Sequence, residues 1–181
     1  MSTPTKIPVS AFVIARDEAA RIGATLDSLR DLVEEVIVVE WGSSDETVAV
    51  AQAGGARVVH NAWAGYGPQK RFAEDQCRSG WLLNLDADEA LSPALQEELR
   101  RLFAAGEPRC DAYRLVIRAV CPHEERPHPW AYANSPIRLY RRDRGRFSDS
   151  TVHDSVIMQP GSRIGRLRGD VWHRGMLSFE Q

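Results

Sequence analysis

The sequence predicts an α/β fold: a mostly parallel sheet flanked by helices, in a single domain over residues 1–181. That expectation rests on three features of the chain. Apolar runs of strand length alternate with amphipathic segments of helix length through the first two thirds, the pattern of repeated βαβ units. At 181 residues, 43% hydrophobic and 27% charged, the chain is sized for one globular core without disulfide staples. Successive strands also end in carboxylates, and open α/β sheets bind their ligands beyond the carboxyl ends of the strands.

Residues 9–15 form a first buried strand, an unbroken apolar stretch. Over 18–32, Ile22, Leu26 and Leu29 recur at helical spacing. Residues 35–40 (EVIVVE) give a second strand, and Asp45 is placed to cap a helix over 46–53. That helix ends at Gly54 and Gly55, where a positive φ costs little. Residues 57–60 are a third strand, followed by a Gly-rich loop at 64–68, a helix over 69–77 and a fourth strand over 81–85. Ser92 caps, and Pro93 opens, a helix running to about Ala104. Past Gly106 the alternation changes: 111–119, 137–141 and 163–171 read as strands, while 121–136, rich in Pro, His and charge, reads as a long functional or mobile loop. Trp81 and Trp172 are expected in the core. Residues 177–181 look like the start of another helix, so the chain is expected to be C-terminally cut short or an unusually short version.

A formal net charge of −2 argues against a polyanion binder, because such proteins draw their affinity from excess Lys and Arg; nucleic acid is not an expected partner. The charge is uneven, however. Arg138, Arg141, Arg142, Arg144 and Arg146 crowd one stretch, and Arg163, Arg166 and Arg168 follow, forming either a solvated face or a surface for phosphate or an anionic acceptor. Cys77, Cys110 and Cys121 are odd in number and lack metal-type spacing, which fits a reducing compartment. The first residues lack signal-peptide blocks, and no stretch approaches the ~20 apolar residues that span a bilayer. The expected location is cytoplasmic, with peripheral contact at the inner membrane left open.

The chemistry concentrates at Asp86-Ala87-Asp88-Glu89, where an apolar strand runs straight into three acids. In an extended chain residues two apart share a side, so Asp86 and Asp88 face one pocket. Their mutual repulsion calls for a positive partner. Mg²⁺ takes only one or two carboxylates and fills its shell with water and phosphate oxygens, so this pair suits a cation bridging to a diphosphate. The bland alternative is a pair of loop carboxylates near the Ser92 helix. Two more strand ends add polar groups: Glu40 to Asp45, where Glu40 could accept a hydrogen bond from a base N–H, and Arg16-Asp17-Glu18. Asp45 by itself reads equally as a helix cap.

Taken together, these stretches resemble the family 2 glycosyltransferases of the GT-A (Rossmann-like) fold, in particular bacterial lipopolysaccharide-core β-1,4-glucosyltransferases. The resemblance runs through SAFVIARDE from Ser10, VIVVEWGSSDET from Val36, WAGYGPQKRFA from Trp63, WLLNLDADE from Trp81, IRLYRR from Ile137, GRFSDSTVHD from Gly145 and GRLRGDVWH from Gly165. It implies a nucleotide-sugar-binding half over 1–105 and an acceptor-side half over 106–181. It also implies inverting transfer of a hexose, glucose foremost, from UDP-glucose to a cell-envelope glycan or lipid-linked glycan with Mg²⁺ or Mn²⁺. The donor-binding set is then Arg16, Glu18, Glu40, Asp45, Lys70, Arg71 and Asp86. Asp86, Asp88 and His153 fall to the metal, Asp154 and Asp88 to catalysis with Asp154 as base, and Trp130, Arg138 and Tyr140, together with Tyr132, to the acceptor. His173, also just past a strand, is a further candidate for a role like that of His153. Lys70 and Arg71 open a helix where free N–H groups and a cation could meet phosphate; a solvated helix face is their other reading.

The chain departs from the family pattern at Glu40 (usually Asp), Trp41 (usually small), Asp17 (usually Asn) and Asp154 (usually Glu). Glu40, and the want of the further helices the family usually has, motivate a second expectation: a weak or inactive nucleotide-sugar-binding module. Asp-x-Asp also marks phosphatases with an aspartyl nucleophile. There the pair follows the first strand and runs into Thr or Val, whereas here it follows the fourth and runs into Glu89-Ala90.

Overall fold

The computed structural model describes residues 6–175, so the helix expected from 177 lies outside the described residues. In chain order the elements are β1 (Ile7–Ala15), α1 (Ile22–Leu29), β2 (Val33–Glu40), α2 (Thr47–Ala53), β3 (Arg57–His60), α3 (Tyr66–Gln76), β4 (Trp81–Asn84) and β5 (Glu89–Leu91). There follow α4 (Pro93–Ala104), β6 (Ala112–Ala119), β7 (Ala133–Asn134), β8 (Ile137–Arg141), β9 (Gly145–Phe147), β10 (Val156–Met158) and β11 (Ile164–His173). One sheet has the order β3-β2-β1-β4-β8-β6-β11-β5, with β7 on β6, while β9 and β10 pair apart as a hairpin. β3, β2, β1, β4, β6 and β11 run one way; β8, β5 and β7 run the other. The expected mostly parallel sheet is therefore present. β8 inserts between β4 and β6, so the two halves of the chain share one sheet.

β1 reads as an unbroken apolar run because both of its faces are covered. Val9, Ala11 and Val13 pack with Leu26 and Leu29 of α1 and Leu95 and Leu99 of α4. Phe12 and Ile14 pack the other way, with Ala73 of α3, Tyr140 and Phe147. α4 starts as the sequence requires, the Ser92 hydroxyl accepting from the Leu95 N–H with Pro93 in the first turn. Trp81 is 4% exposed, as expected of a core residue. Trp172 is not: it is half-buried and lines a surface groove with Arg126 and Arg168.

Two boundaries differ from expectation for local reasons. α1 begins at Ile22, not 18, because the Glu18 and Ala19 N–H groups donate to Thr47 Oγ1 and Asp45 Oδ2 while Asp17 takes a φ of 54°. Those tertiary bonds hold the segment as a loop at the end of β1. α3 begins at Tyr66, inside the expected Gly-rich loop. The loop expected over 121–136 also carries the two-residue strand β7.

Cys77 is buried and its thiol is pushed up to about 12 by burial, whereas Cys121 is exposed. A thiolate-selective maleimide at mildly alkaline pH should therefore label Cys121 and spare Cys77 until the chain unfolds. Native-state labelling of Cys77 at the Cys121 rate, read by mass spectrometry, would show that the C-terminal end of α3 opens freely.

Candidate active site

The loops leaving the carboxyl ends of β1, β2, β3 and β4 wall a cleft of about 500 Å³. Arg16, Asp17 and Glu18 line it from the first loop, and Trp41, Trp63 and Tyr66 from the next two. Lys70, Asp86, Asp88 and Asp154 line its other end. A second cleft of about 420 Å³ adjoins it, with Arg114, Asn134, Ile137 and Arg138 on its walls. Asp86 and Asp154 belong to both.

Between the clefts lies an ionic bridge. The Lys70 side chain, 3% exposed, places Nζ 2.9 Å from Asp86 Oδ1 and 2.6 Å from Asp154 Oδ2. Arg138 donates from Nη2 to Asp86 Oδ2 at 2.8 Å and to Glu89 Oε1 at 3.1 Å, and from Nη1 to Asn84 Oδ1. Glu89 Oε2 in turn accepts from the Asp86 N–H at 2.9 Å. Burial alone would raise the Asp86 carboxyl, but the charges of Arg138 and Lys70 outweigh it and hold the group well below the usual carboxylate range. For Glu89 burial wins, and its carboxyl is pushed up. The repulsion between Asp86 and Glu89 is thus relieved by side-chain cations, and each Asp86 oxygen already has one.

Asp88 differs. Its Oδ2 lies 3.1 Å from His173 Nε2, and the Arg174 N–H donates to its main-chain carbonyl at 2.9 Å. The hydrogen bond to Asp88 pushes the His173 imidazole up despite partial burial. Among the described residues no three His, Cys, Asp or Glu side chains gather into a ready metal cage. Asp88 and His173 nevertheless fit a sparse site of one carboxylate and one imidazole, with phosphate oxygens and water left to fill the shell.

Several expected site residues stand elsewhere. His153 is exposed on its turn and lines neither cleft; the imidazole beside Asp88 is that of His173. Tyr140 is fully buried, its hydroxyl donating to Glu74 Oε1 at 2.6 Å, so it is unable to touch an acceptor. Arg71 donates to the Phe147 carbonyl at 3.2 Å and steadies β9. Asp45 ties Ala19 and Thr47 together instead of facing the cleft. Glu40 is 8% exposed and turned back onto its own loop. Trp130, 79% exposed, stacks on His128 and lines neither cleft. Tyr132, 78% exposed, also lines neither. Arg138 does line the second cleft, yet its charge is held by Asp86 and Glu89. Glu89, one of the three acids read in the sequence, anchors Arg138 together with Asn84, which had no signal beyond its neighbourhood to Asp86.

The Gly-rich stretch also has a packing role. A Cβ at residue 67 would meet the Ser148 carbonyl oxygen and lie 2.5 Å from that of Ser150; at residue 65, where φ is +113°, it would lie 2.7 Å from Thr151 Cα. The Tyr66 and Gly67 N–H groups donate to the Thr151 and Ser150 carbonyls at 3.2 and 2.9 Å, so these are not free for phosphate as expected. The glycines press the start of α3 against the turn that carries Asp154.

Tyr140→Phe should cost about 1–3 kcal/mol, because the buried Glu74 carboxylate loses a donor and keeps the Phe147 N–H at 2.9 Å. Urea denaturation should show the loss with kcat unchanged. A lowered kcat at full stability would return Tyr140 to the reaction.

Two adjoining clefts at the carboxyl ends of β1, β2, β3 and β4, sharing Asp86 and Asp154, place the candidate site where open α/β sheets bind their ligands. Residues 10–165 match the profile of glycosyl transferase family 2, and the chain belongs to that family. It is 35% identical over 192 residues to the lipopolysaccharide core biosynthesis glycosyltransferase LpsC of Rhizobium meliloti, covering 97% of this chain and 67% of that protein. To an uncharacterized glycosyltransferase of Rickettsia felis it is 39% identical over 181 residues, covering 96% of this chain and 64% of that one, so it spans less than two thirds of that relative. The crystal structure of S. aureus TarS 1-349 superposes with a TM-score of 0.62 at 16% identity, over 94% of this chain and 60% of that one. The same protein in complex with UDP-GlcNAc gives 0.60 at 17% identity, over 91% and 59%. These likenesses show the GT-A fold. No helix among the described residues is long and apolar enough to cross a membrane.

Proposed function

We propose that the chain transfers a hexose, glucose foremost, from UDP-glucose to a lipopolysaccharide-core type glycan with inversion, at the cytoplasmic side of the membrane. The observation that carries this reading is Asp154: it stands in both clefts and shares the Lys70 ammonium with Asp86. A nucleotide sugar in the first cleft and an acceptor in the second would meet at that carboxylate. The UDP-GlcNAc complex of TarS supports a nucleotide-sugar donor, and the name of LpsC supports the acceptor class.

In this reading the acceptor hydroxyl gives its proton to Asp154 as its oxygen bonds the anomeric carbon, and the nucleoside diphosphate leaves from the opposite face. Lys70 fixes the direction of Asp154, and Arg138 fixes Asp86 at the shared wall. Mg²⁺ or Mn²⁺, held by Asp88 and His173, would supply positive charge to the departing diphosphate. Arg16, exposed at the mouth of the first cleft, adds a cation of the chain's own.

The test is UDP release from UDP-glucose with a core oligosaccharide acceptor and Mn²⁺. Asp88→Asn should lower turnover and weaken Mn²⁺ binding, followed by the metal's paramagnetic resonance. Tight UDP binding without turnover on any acceptor would leave a nucleotide-sugar-binding module. No binding of UDP, with or without Mn²⁺, would remove the reading.

A further inference from the structure

Glu40 stands at the end of β2, where a carboxylate could read a base N–H, but its oxygens are engaged. Oε1 lies 2.6 Å from His60 Nδ1, and Oε2 accepts from the Gly42 and Ser43 N–H groups at 2.8 and 3.0 Å. It is absent from the lining of the first cleft. The neighbouring residue is what the cleft receives. Trp41 lies against Trp63 with ring centroids 4.5 Å apart and planes 31° off parallel, and Trp63 meets Tyr66 edge to face at 5.0 Å and 89°. Although large aromatics are usually covered, Trp63 and Tyr66 stay 42% and 48% exposed.

The place of this cluster in the sheet matters. It hangs on the loops after β2 and β3, whereas Asp86 and Asp88 follow β4, on the far side of β1. Two strand spacings separate β2 from β4, roughly 10 Å. That is the scale of the distance from a nucleobase to its diphosphate. With phosphate charge drawn to the Asp88 end, the flat end of the molecule falls on the aromatic rings.

Resting on the donor reading above, we propose that Trp41 and Trp63 hold the nucleobase by stacking, that Glu40 makes no contact with it, and that base selection is consequently weak. Every base has a π-face, so stacking tolerates purine and pyrimidine alike. A site that hydrogen-bonds a particular base edge would instead reject those lacking it.

Calorimetric titration of the full chain with UDP, CDP, ADP and GDP, in the presence of Mg²⁺, tests this. The four should bind within about tenfold of one another. Trp63→Ala should weaken all four by about ten- to a hundredfold and Trp63→Phe by much less, while pyrophosphate binding stays unchanged. Glu40→Gln should leave the order among the bases as it was. A preference for UDP over ADP beyond about a hundredfold that collapses in Glu40→Gln would overturn the proposal, since the carboxylate would then read the base. So would Trp63→Ala with unaltered UDP affinity. Loss confined to UDP-glucose, with UDP unaffected, would assign the rings to the sugar and overturn it as well. If none of the nucleoside diphosphates binds to the unaltered chain, the donor reading fails and the inference falls with it.

Discussion

Asp154→Asn is expected to lower kcat by about 10²–10⁴-fold, the share a positioned general base contributes, with UDP affinity held within about threefold. The amide keeps the shape and can still contact Lys70, 2.6 Å away in the unaltered chain, so the two clefts remain joined. What is lost is the site that takes the proton. Single-turnover measurement separates the two effects: an unchanged Kd with slowed transfer supports the assignment, and a kcat within about threefold of the parent would sink it.

Arg138→Met is expected to have the largest effect on stability, about 3–5 kcal/mol. The Arg138 side chain, 10% exposed, donates to Asn84, Asp86 and Glu89 together. Without it Glu89, 3% exposed, is a buried acid with no salt-bridge partner, and Asp86 keeps Lys70 alone. Arg138→Met with Glu89→Gln should recover part of the loss, because the second change removes the stranded charge. The pH response has a definite sign. Asp86, depressed below its ordinary 3.8, adds stability that is complete above that value and fades as pH falls toward its lower folded-state value. In Arg138→Met its carboxyl moves back up, so acid unfolding followed by circular dichroism should shift to higher pH. An unmoved acid midpoint together with unmoved stability would show that Arg138 is dispensable to the bridge.

The parts of the molecule visible in the sequence are those specified by short-range pattern. β1 and β4 are apolar runs because each is buried, and Asp86 and Asp88 stand out because acids directly after such a run need a reason. Ser92-Pro93 announces α4 through backbone chemistry that operates within one turn. What escaped the sequence depends on pairings between distant segments. His173 reaches Asp88 across 85 positions, and Arg138 reaches Asn84 across 54; no periodicity encodes either. Tyr140 and Arg138 sit two apart on β8 and are both residue types suited to a sugar site, but Tyr140 is buried with its hydroxyl on Glu74 of α3. Glu40 was expected to face a base, and only the fold shows His60 arriving beside it from β3. β5, β7, β9 and β10 are two or three residues long, below the length at which alternation can be read.

The place of β11 governs when the sheet closes during synthesis. Among the described residues β5 pairs only with β11, and β6 has β11 as its parallel neighbour, so both edges stay open while the ribosome is still adding residues 164–173. Until then Leu91 and Leu115 have no Val171 to cover them, and Asp88 has no imidazole. The nascent chain thus carries an unpaired apolar edge until residues 164–173 have emerged, the stage up to which a holding chaperone would be most needed.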